Sequence, residues 1–285
     1  MFVITFKPGR LANRLILYAN FIAYVTEYGG RVLNPSFDEY TPYFRGTVNN
    51  SLGRYPKPLT IAYNSFLNRW VYRFMLFICR IAMKAKLRTK LVDYLYLETK
   101  ESMDMCQASV VSSGKIIFIH GWLFRAGELL KKHQQVVRQT FEPVKEIKEN
   151  VQAFIAKQRT EVEVLVGVHI RRGDYRYFNN GIYFYTDAQY QQLMADILSI
   201  LPDQNIKFIL CSDESLEEFH CSDVNWATST NHLIEDLYIL SECDYIIGPP
   251  STYSAWASFY GQVPLFHIEK PEDELQLTSF KIGLT

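Results

Sequence analysis

The sequence predicts an α/β protein of two halves, the second built on a parallel sheet covered by helices on both faces. At 285 residues the chain is longer than one average domain and short for three. From about residue 162 onward, short apolar runs alternate with helical patterns, as strands joined by crossover helices do. A strand, a tight turn and a helix also follow one another within the first 25 or so residues. With 48% hydrophobic and 21% charged residues, the chain suits a sizeable core, and intrinsic disorder is excluded.

Residues 2–6 (Phe-Val-Ile-Thr-Phe) read as a strand that Pro8-Gly9 breaks. Leu11, Leu15, Ala19, Ile22 and Ala23 then recur at helical spacing, and the helix start aims backbone N–H groups at the preceding loop. Residues 34–60 carry four prolines and read as irregular structure. In the stretch 65–88, Arg69, Arg73, Arg80 and Lys84 fall on one helical stripe, with Trp70, Phe74, Phe77, Ile78 and Ile81 over much of the rest. Such a helix can lie on an anionic lipid surface. The plainer reading, a peripheral helix whose arginines snorkel, is preferred because soluble domains use amphipathic helices more often than membranes do. Ile116–His120 reads as a buried strand, followed by a helix through Leu129, Leu130, Val136 and Val137 to Phe141, which Glu142-Pro143 ends. A polar helix over 146–159 suits a bridge between the halves. After it come a strand (162–170), a helix (187–200), a strand (206–210), helices near 214–219 and 233–242, a strand (245–248), a helix (253–260) and a strand (264–268).

Thirty basic and thirty acidic side chains cancel, so no global field recruits nucleic acid, and any anion site must be local. The five cysteines form no C-x-x-C pair and are odd in number, which favours unpaired thiols in a reducing compartment. The first residues lack the pattern of a signal peptide, and no stretch approaches the ~18 uncharged apolar residues of a membrane span. The expected location is cytoplasmic, with any membrane contact peripheral, at the inner face and through 69–84.

Three chemistry-bearing segments fall at predicted strand ends, where parallel sheets bind ligands. In His169-Ile170-Arg171-Arg172-Gly173-Asp174, adjacent arginines point in different directions, so one enters the cleft while the other pairs with a carboxylate such as Asp174. A guanidinium fork matches two phosphate oxygens. The alternative is an exposed Arg–Asp pair of little consequence. In Cys211-Ser212-Asp213-Glu214 a carboxylate can serve a base or ribose, or equally cap the next helix. Pro249-Pro250-Ser251-Thr252-Tyr253-Ser254 offers hydroxyls and helix-start N–H groups, either as ordinary caps or as an anion cradle beside Arg171. In the first half, the turn Gly9-Arg10-Leu11-Ala12-Asn13-Arg14 is not G-x-G-x-x-G, so a dinucleotide-dehydrogenase reading fails; Arg10 and Asn13 are candidates to reach a leaving phosphate across an interdomain cleft.

The segment Val168–Asp174 resembles the H-x-R-R-x-D motif of the α-1,2-, α-1,6- and protein O-fucosyltransferase superfamily, most closely the α-1,2-fucosyltransferases. The Gly9–Asn13 turn is similar to the family's G-G-x-G-N, and Gly121-Trp122 to its G-[YF]-[WF] segment. Tyr183-Phe184-Tyr185, Ser212-Asp213-Glu214 and Ser251–Trp256 also match, in order. Ala12 stands where the family usually has Gly, and Pro250 where an Asn commonly precedes S-T-[FY]-S. The resemblance covers about 1–25 and 115–265. It implies a GT-B-like pair of Rossmann-type domains with a nucleotide-binding cleft between them, an acceptor-side domain over 1–150 and a donor-binding domain over 151–285. It also implies GDP-fucose as donor, inversion at the anomeric carbon, no metal and no cofactor, and an oligosaccharide or lipid-linked glycan as acceptor. Carried over, Arg171 binds the β-phosphate, His169 and Asp213 contact guanosine, Ser251, Thr252 and Ser254 cradle the diphosphate with Arg10, Arg172 and Asp174 on the donor side, and Asn13 lies near the reacting centre. Two other readings stand beside it: a glycosyltransferase using another nucleotide sugar, and a non-catalytic nucleotide- or glycan-binding module.

Overall fold

The chain folds as two units, 1–144 and 145–285, each around its own five-stranded sheet. The computed structural model describes residues 1–59, 65–98, 100–108, 114–230, 232–270, 272 and 274–284; Thr60, the last residue of the expected irregular stretch, lies outside them.

In the first unit, β1 (Phe2–Ile4) leads into α1 (Leu11–Tyr28), then β2 (Val32–Leu33), β3 (Arg54–Tyr55), α2 (Ser65–Lys84) and β4 (Val92–Tyr96). β5 (Met103–Asp104), β6 (Ile116–His120), β7 (Phe124–Arg125), α3 (Glu128–Lys132) and α4 (Gln134–Thr140) complete it. The sheet order is β3-β2-β1-β6-β4, parallel except for β3. α1 is buried on nearly every side, as expected of a helix apolar all round. Its Asn20 is satisfied inside the core, donating to the Ile16 carbonyl (2.7 Å) and accepting from the Ala126 N–H (2.7 Å). The single helix expected through 129–141 is instead two, parted at His133, whose ring is held by Glu27 at 2.6 Å. β4 was not foreseen. Val-Asp-Tyr-Leu-Tyr is short, half-buried and carries a charge, so it gives little apolar signal, yet it pairs along its whole length with β6.

The second unit begins with α5 (Lys145–Gln158), followed by β8 (Val164–Ile170), α6 (Asp187–Ile200), β9 (Ile206–Ser212), β10 (Trp226–Thr228), α7 (Leu233–Ser241), β11 (Tyr245–Gly248), α8 (Thr252–Gly261) and β12 (Leu265–His267). α5, expected as a bridge, belongs wholly to this unit: Ile147, Val151 and Ile155 are buried and the helix packs on α7. All strands are parallel, in the order β10-β9-β8-β11-β12. The chain therefore starts in the middle of the sheet, builds outward on one side through β9 and β10, then returns to build the other side. That reversal beside β8 is the topological switch point at which such sheets hold ligands.

The helix expected over 214–219 does not form. Asp213, its presumed cap, is drawn to Arg171 and to the Arg172 N–H (2.8 Å each), and Glu214 is taken by Arg176 at 2.6 Å. Ser212 Oγ accepts the Glu214 N–H at 3.2 Å, which turns the chain locally instead. Leu216 and Phe219 still reach the core.

Candidate nucleotide site at the switch point

Side chains alternate along β8, and Val166, Val168 and Ile170 enter the core formed with Tyr190, Leu193, Met194 and Ile197 of α6. His169, between them, faces the other way. It is buried against the Tyr253 ring in the first turn of α8, with ring centres 5.1 Å apart. Burial, with the Arg171 and His267 charges adding to it, holds the imidazole pKa down to about 3, so His169 is neutral. Its Nδ1 is buried and has no hydrogen-bond partner among the described residues.

At the strand's end the two arginines diverge, as expected of adjacent residues. Their pairing differs from expectation. Arg171 itself takes Asp174, at 2.5 Å, and also Asp213, at 2.8 Å. Arg172 turns to Asp187, the first residue of α6, where its guanidinium ties the loop to that helix. The reason is spatial: Asp213 and Gly173 approach so closely that a Cβ at 173 would meet Asp213 Oδ2 at 2.8 Å, and this brings the Asp213 carboxylate beside Arg171. The third strand end is joined to the first. Tyr175 donates from its hydroxyl to the Pro250 carbonyl at 2.6 Å, and its ring lies 5.5 Å from the Arg171 guanidinium.

A cavity of about 480 Å³ opens beyond the ends of β8 and β9, beside the first turns of α7 and α8, within the range of small-molecule sites. His169, Arg171, Asp213, Asp236 and Tyr253 are among its lining residues. Asp236 is the residue that sequence reasoning missed. An acidic residue in a helix's first turn ordinarily signals only favourable pairing with the helix dipole. Here it is buried, accepting from the Thr230 hydroxyl at 3.3 Å, and burial pushes its carboxyl pKa up to about 6. Burial also raises the Tyr253 phenol and the Cys211 thiol well above their ordinary values, so both stay protonated.

The remaining expected residues sit elsewhere. Ser251 caps α8, accepting the Tyr253 N–H at 3.2 Å, and Thr252 is the first helical residue. The Ser254 hydroxyl is fully buried, donates to the Ser251 carbonyl (3.2 Å) and lies 3.4 Å from His267, so it is spent inside the fold instead of lining the cavity. Arg172 and Asp174 likewise do not line the cavity and act on the loop that carries Arg171. In the first unit, Arg10 is exposed at the start of α1, and Asn13 packs under Gly9, whose φ of +34° is of a kind that favours glycine.

A cavity lined by an arginine and buried ionisable groups at the switch point of a parallel sheet is of a kind that suits a nucleotide. Residues 128–274, just over half the chain and the stretch that includes every lining residue, match the model of glycosyl transferase family 11. The chain belongs to that family. Compared by sequence with curated proteins, this family 11 chain finds no match. Among solved structures it is similar to NodZ alpha-1,6-fucosyltransferase soaked with GDP-fucose, at 14% identity and a TM-score of 0.60, covering 99% of each chain. Fucosyltransferase NodZ from Bradyrhizobium is 17% identical with a TM-score of 0.57, covering 93% of this chain and 95% of that one. A mutant of Arabidopsis thaliana FUT1 in complex with GDP is 10% identical with a TM-score of 0.59, covering 100% and 74%. At these identities the likeness is one of fold: this family 11 member has the mixed α/β, GT-B-like architecture of those proteins.

Proposed function

We propose that this family 11 chain transfers fucose from GDP-fucose to a galactoside-type glycan, forming an α-1,2 linkage with inversion. The observation that carries the donor half is the cavity at the switch point, with Arg171 on its wall and the buried Asp236 carboxylate inside. Guanine presents two adjacent donors, N1–H and the 2-amino group, and a carboxylate accepts both; uracil offers a single ring N–H. Asp236 is the natural reader of that edge, and neutral His169 has a ring nitrogen free for the nucleoside. As the glycosidic bond breaks, negative charge builds on the departing diphosphate. Arg171 and the N–H groups opening α8 stabilise it without reorganising, which is commonly the largest catalytic contribution. Asp213 and Asp174 hold the guanidinium in place, and Arg172 anchors its loop through Asp187. Asn13 and Arg10 enter this proposal through the resemblance of their turn, as groups of the acceptor and leaving-group side, and the linkage enters through the resemblance of the H-x-R-R-x-D segment. The reaction needs no divalent cation.

The test is to incubate the protein with labelled GDP-fucose, EDTA and an array of galactosides, beside a calorimetric panel of GDP-, UDP- and ADP-sugars. Transfer of label, in a bond cleaved by an α-1,2-specific fucosidase, is the expected result. GDP binding with no transfer to any acceptor would make the chain a binding module. A tighter UDP-sugar would remove Asp236 as the base reader.

A further inference from the structure

We propose that α2 and the turn after it dock this protein on an anionic lipid surface. The inference is independent of the donor reading and rests on three stripes of one helix. The inward stripe is consumed by the fold: Cys79 is buried with Val3, Leu33 and Phe118, Met75, Ile78 and Met83 pack against the same cluster, and Tyr72 donates to the Thr5 carbonyl at 3.1 Å. The outward stripe is apolar and is not needed by that core. Trp70, Phe74, Phe77 and Ile81 are 57%, 65%, 58% and 46% exposed, at spacings of four, three and four that keep them on one face. A contiguous ridge of this kind marks an interaction surface, whereas single exposed apolar residues do not. The third stripe is cationic. At about 100° per residue, Arg69, Arg73, Arg80 and Lys84 line one edge of the ridge, roughly 80° round from it, and all four are exposed.

Charge decides the occupant. Lys86, Arg88 and Lys90 follow in the exposed turn beside Leu87 and Leu91, and no acidic residue occurs between 65 and 91. Arg88 also reaches Asp93 at 3.5 Å; the chain as a whole is neutral, so this is a local field. A partner must therefore be anionic beside the cations and apolar along the ridge. The boundary between headgroups and acyl chains of an acidic bilayer offers both, and an amphipathic helix buries its apolar face some 5–10 Å into it. A nucleic acid would leave the ridge without a counterpart. No described helix is long and apolar enough to cross a membrane, so α2 lies on the surface.

The full chain is to be sedimented with phosphatidylcholine vesicles containing about one-third phosphatidylglycerol, at low and at raised salt. Binding to these vesicles, little binding to pure phosphatidylcholine, and release by salt are expected. The Arg69→Gln/Arg73→Gln double variant should bind about 25-fold more weakly, near five-fold for each cation. Trp70 emission should shift to the blue on vesicles, and the shift should vanish in Trp70→Phe. An unchanged melting temperature in each variant shows that the fold is intact. Absence of sedimentation at low salt overturns the proposal, as does equal binding by the double variant. A lipid-free dimer that Phe74→Ser/Phe77→Ser dissolves also overturns it, because a second copy then covers the ridge.

Discussion

At the end of β1 the chain turns through Gly9 into α1, and at the end of β8 it turns through Gly173; both turns set arginines beside carboxylates at the edge of a parallel sheet. In the first, Arg14 is 8% exposed, with Glu39 at 3.0 Å and the Gly9 carbonyl at 3.3 Å. It staples its own turn. In the second, Arg171 is also doubly paired, and its partner Asp174 is half-exposed just as Glu39 is, yet the Arg171 guanidinium lines a cavity. The pairing alone therefore does not separate a structural arginine from a functional one. What separates them is the company: a neutral buried imidazole and a carboxyl raised by burial line the cavity with Arg171, and such perturbed groups collect where ligands bind.

The largest expected effect tests that distinction. Arg171→Lys keeps the charge and loses the two-pronged fork, each charge-assisted bond of which contributes about 1.5–3 kcal/mol. Release of GDP from GDP-fucose should fall roughly 10²–10⁴-fold while the melting temperature moves little. Arg14→Lys should do the reverse, lowering the melting temperature and leaving GDP affinity within about two-fold. Should both variants lose stability and keep turnover, the two turns are equivalent and the contrast fails.

The second unit was the more legible in sequence because its strands are buried on both faces: runs such as Val164–Ile170 and Ile206–Ser212 are nearly continuous in apolar residues. In the first unit, two-residue strands and the charged edge strand β4 leave no such trace. The site divides in the same way. His169 and Arg171 stood out because they leave a readable strand. The partners of the arginines did not, since Asp174, Asp187 and Asp213 are equally plausible until the backbone brings two of them to Arg171. Asp236 was illegible because its burial is produced by packing of α7 against α8, a contact that no local pattern records.

The next effect sharpens the contrast through pH. Asp236 has a folded-state pKa of about 6 against an unfolded value of 3.8, so the folded state holds its proton more tightly. Its contribution to stability therefore declines as pH rises from about 4 to above 6, by up to about 3 kcal/mol. His169, lowered to about 3, acts oppositely, and its contribution is lost as pH falls below 6.5. Asp236→Asn should then be more stable than the parent at pH 7.5 and not at pH 4, in denaturant titrations at the two values. The same variant should bind GDP about 10- to 100-fold more weakly at pH 7.5, because an amide offers one acceptor and a competing donor to guanine. Parent affinity should drop as Asp236 protonates below pH 6. Stabilisation with unchanged GDP affinity would leave Asp236 a buried group without a ligand role.

The smallest effect concerns how the two helices begin. α1 starts at Arg10 with no side-chain cap, whereas Ser251 caps α8 through the Tyr253 N–H. Ser251→Ala should lower stability by about 1 kcal/mol, and Arg10→Ala by less than about 0.5 kcal/mol. GDP turns this into a test of the anion cradle. Ser251 Oγ accepts from Tyr253 and its hydroxyl also bonds the Tyr175 phenol; a phosphate oxygen that takes the Ser251 hydrogen replaces the Tyr175 contact, so that the hydroxyl serves cap and ligand together. Ser251→Ala should therefore also weaken GDP about five-fold in calorimetry. Lost stability with intact GDP affinity would mean that the hydroxyl only closes the helix, and that the diphosphate relies on Arg171 and backbone N–H groups.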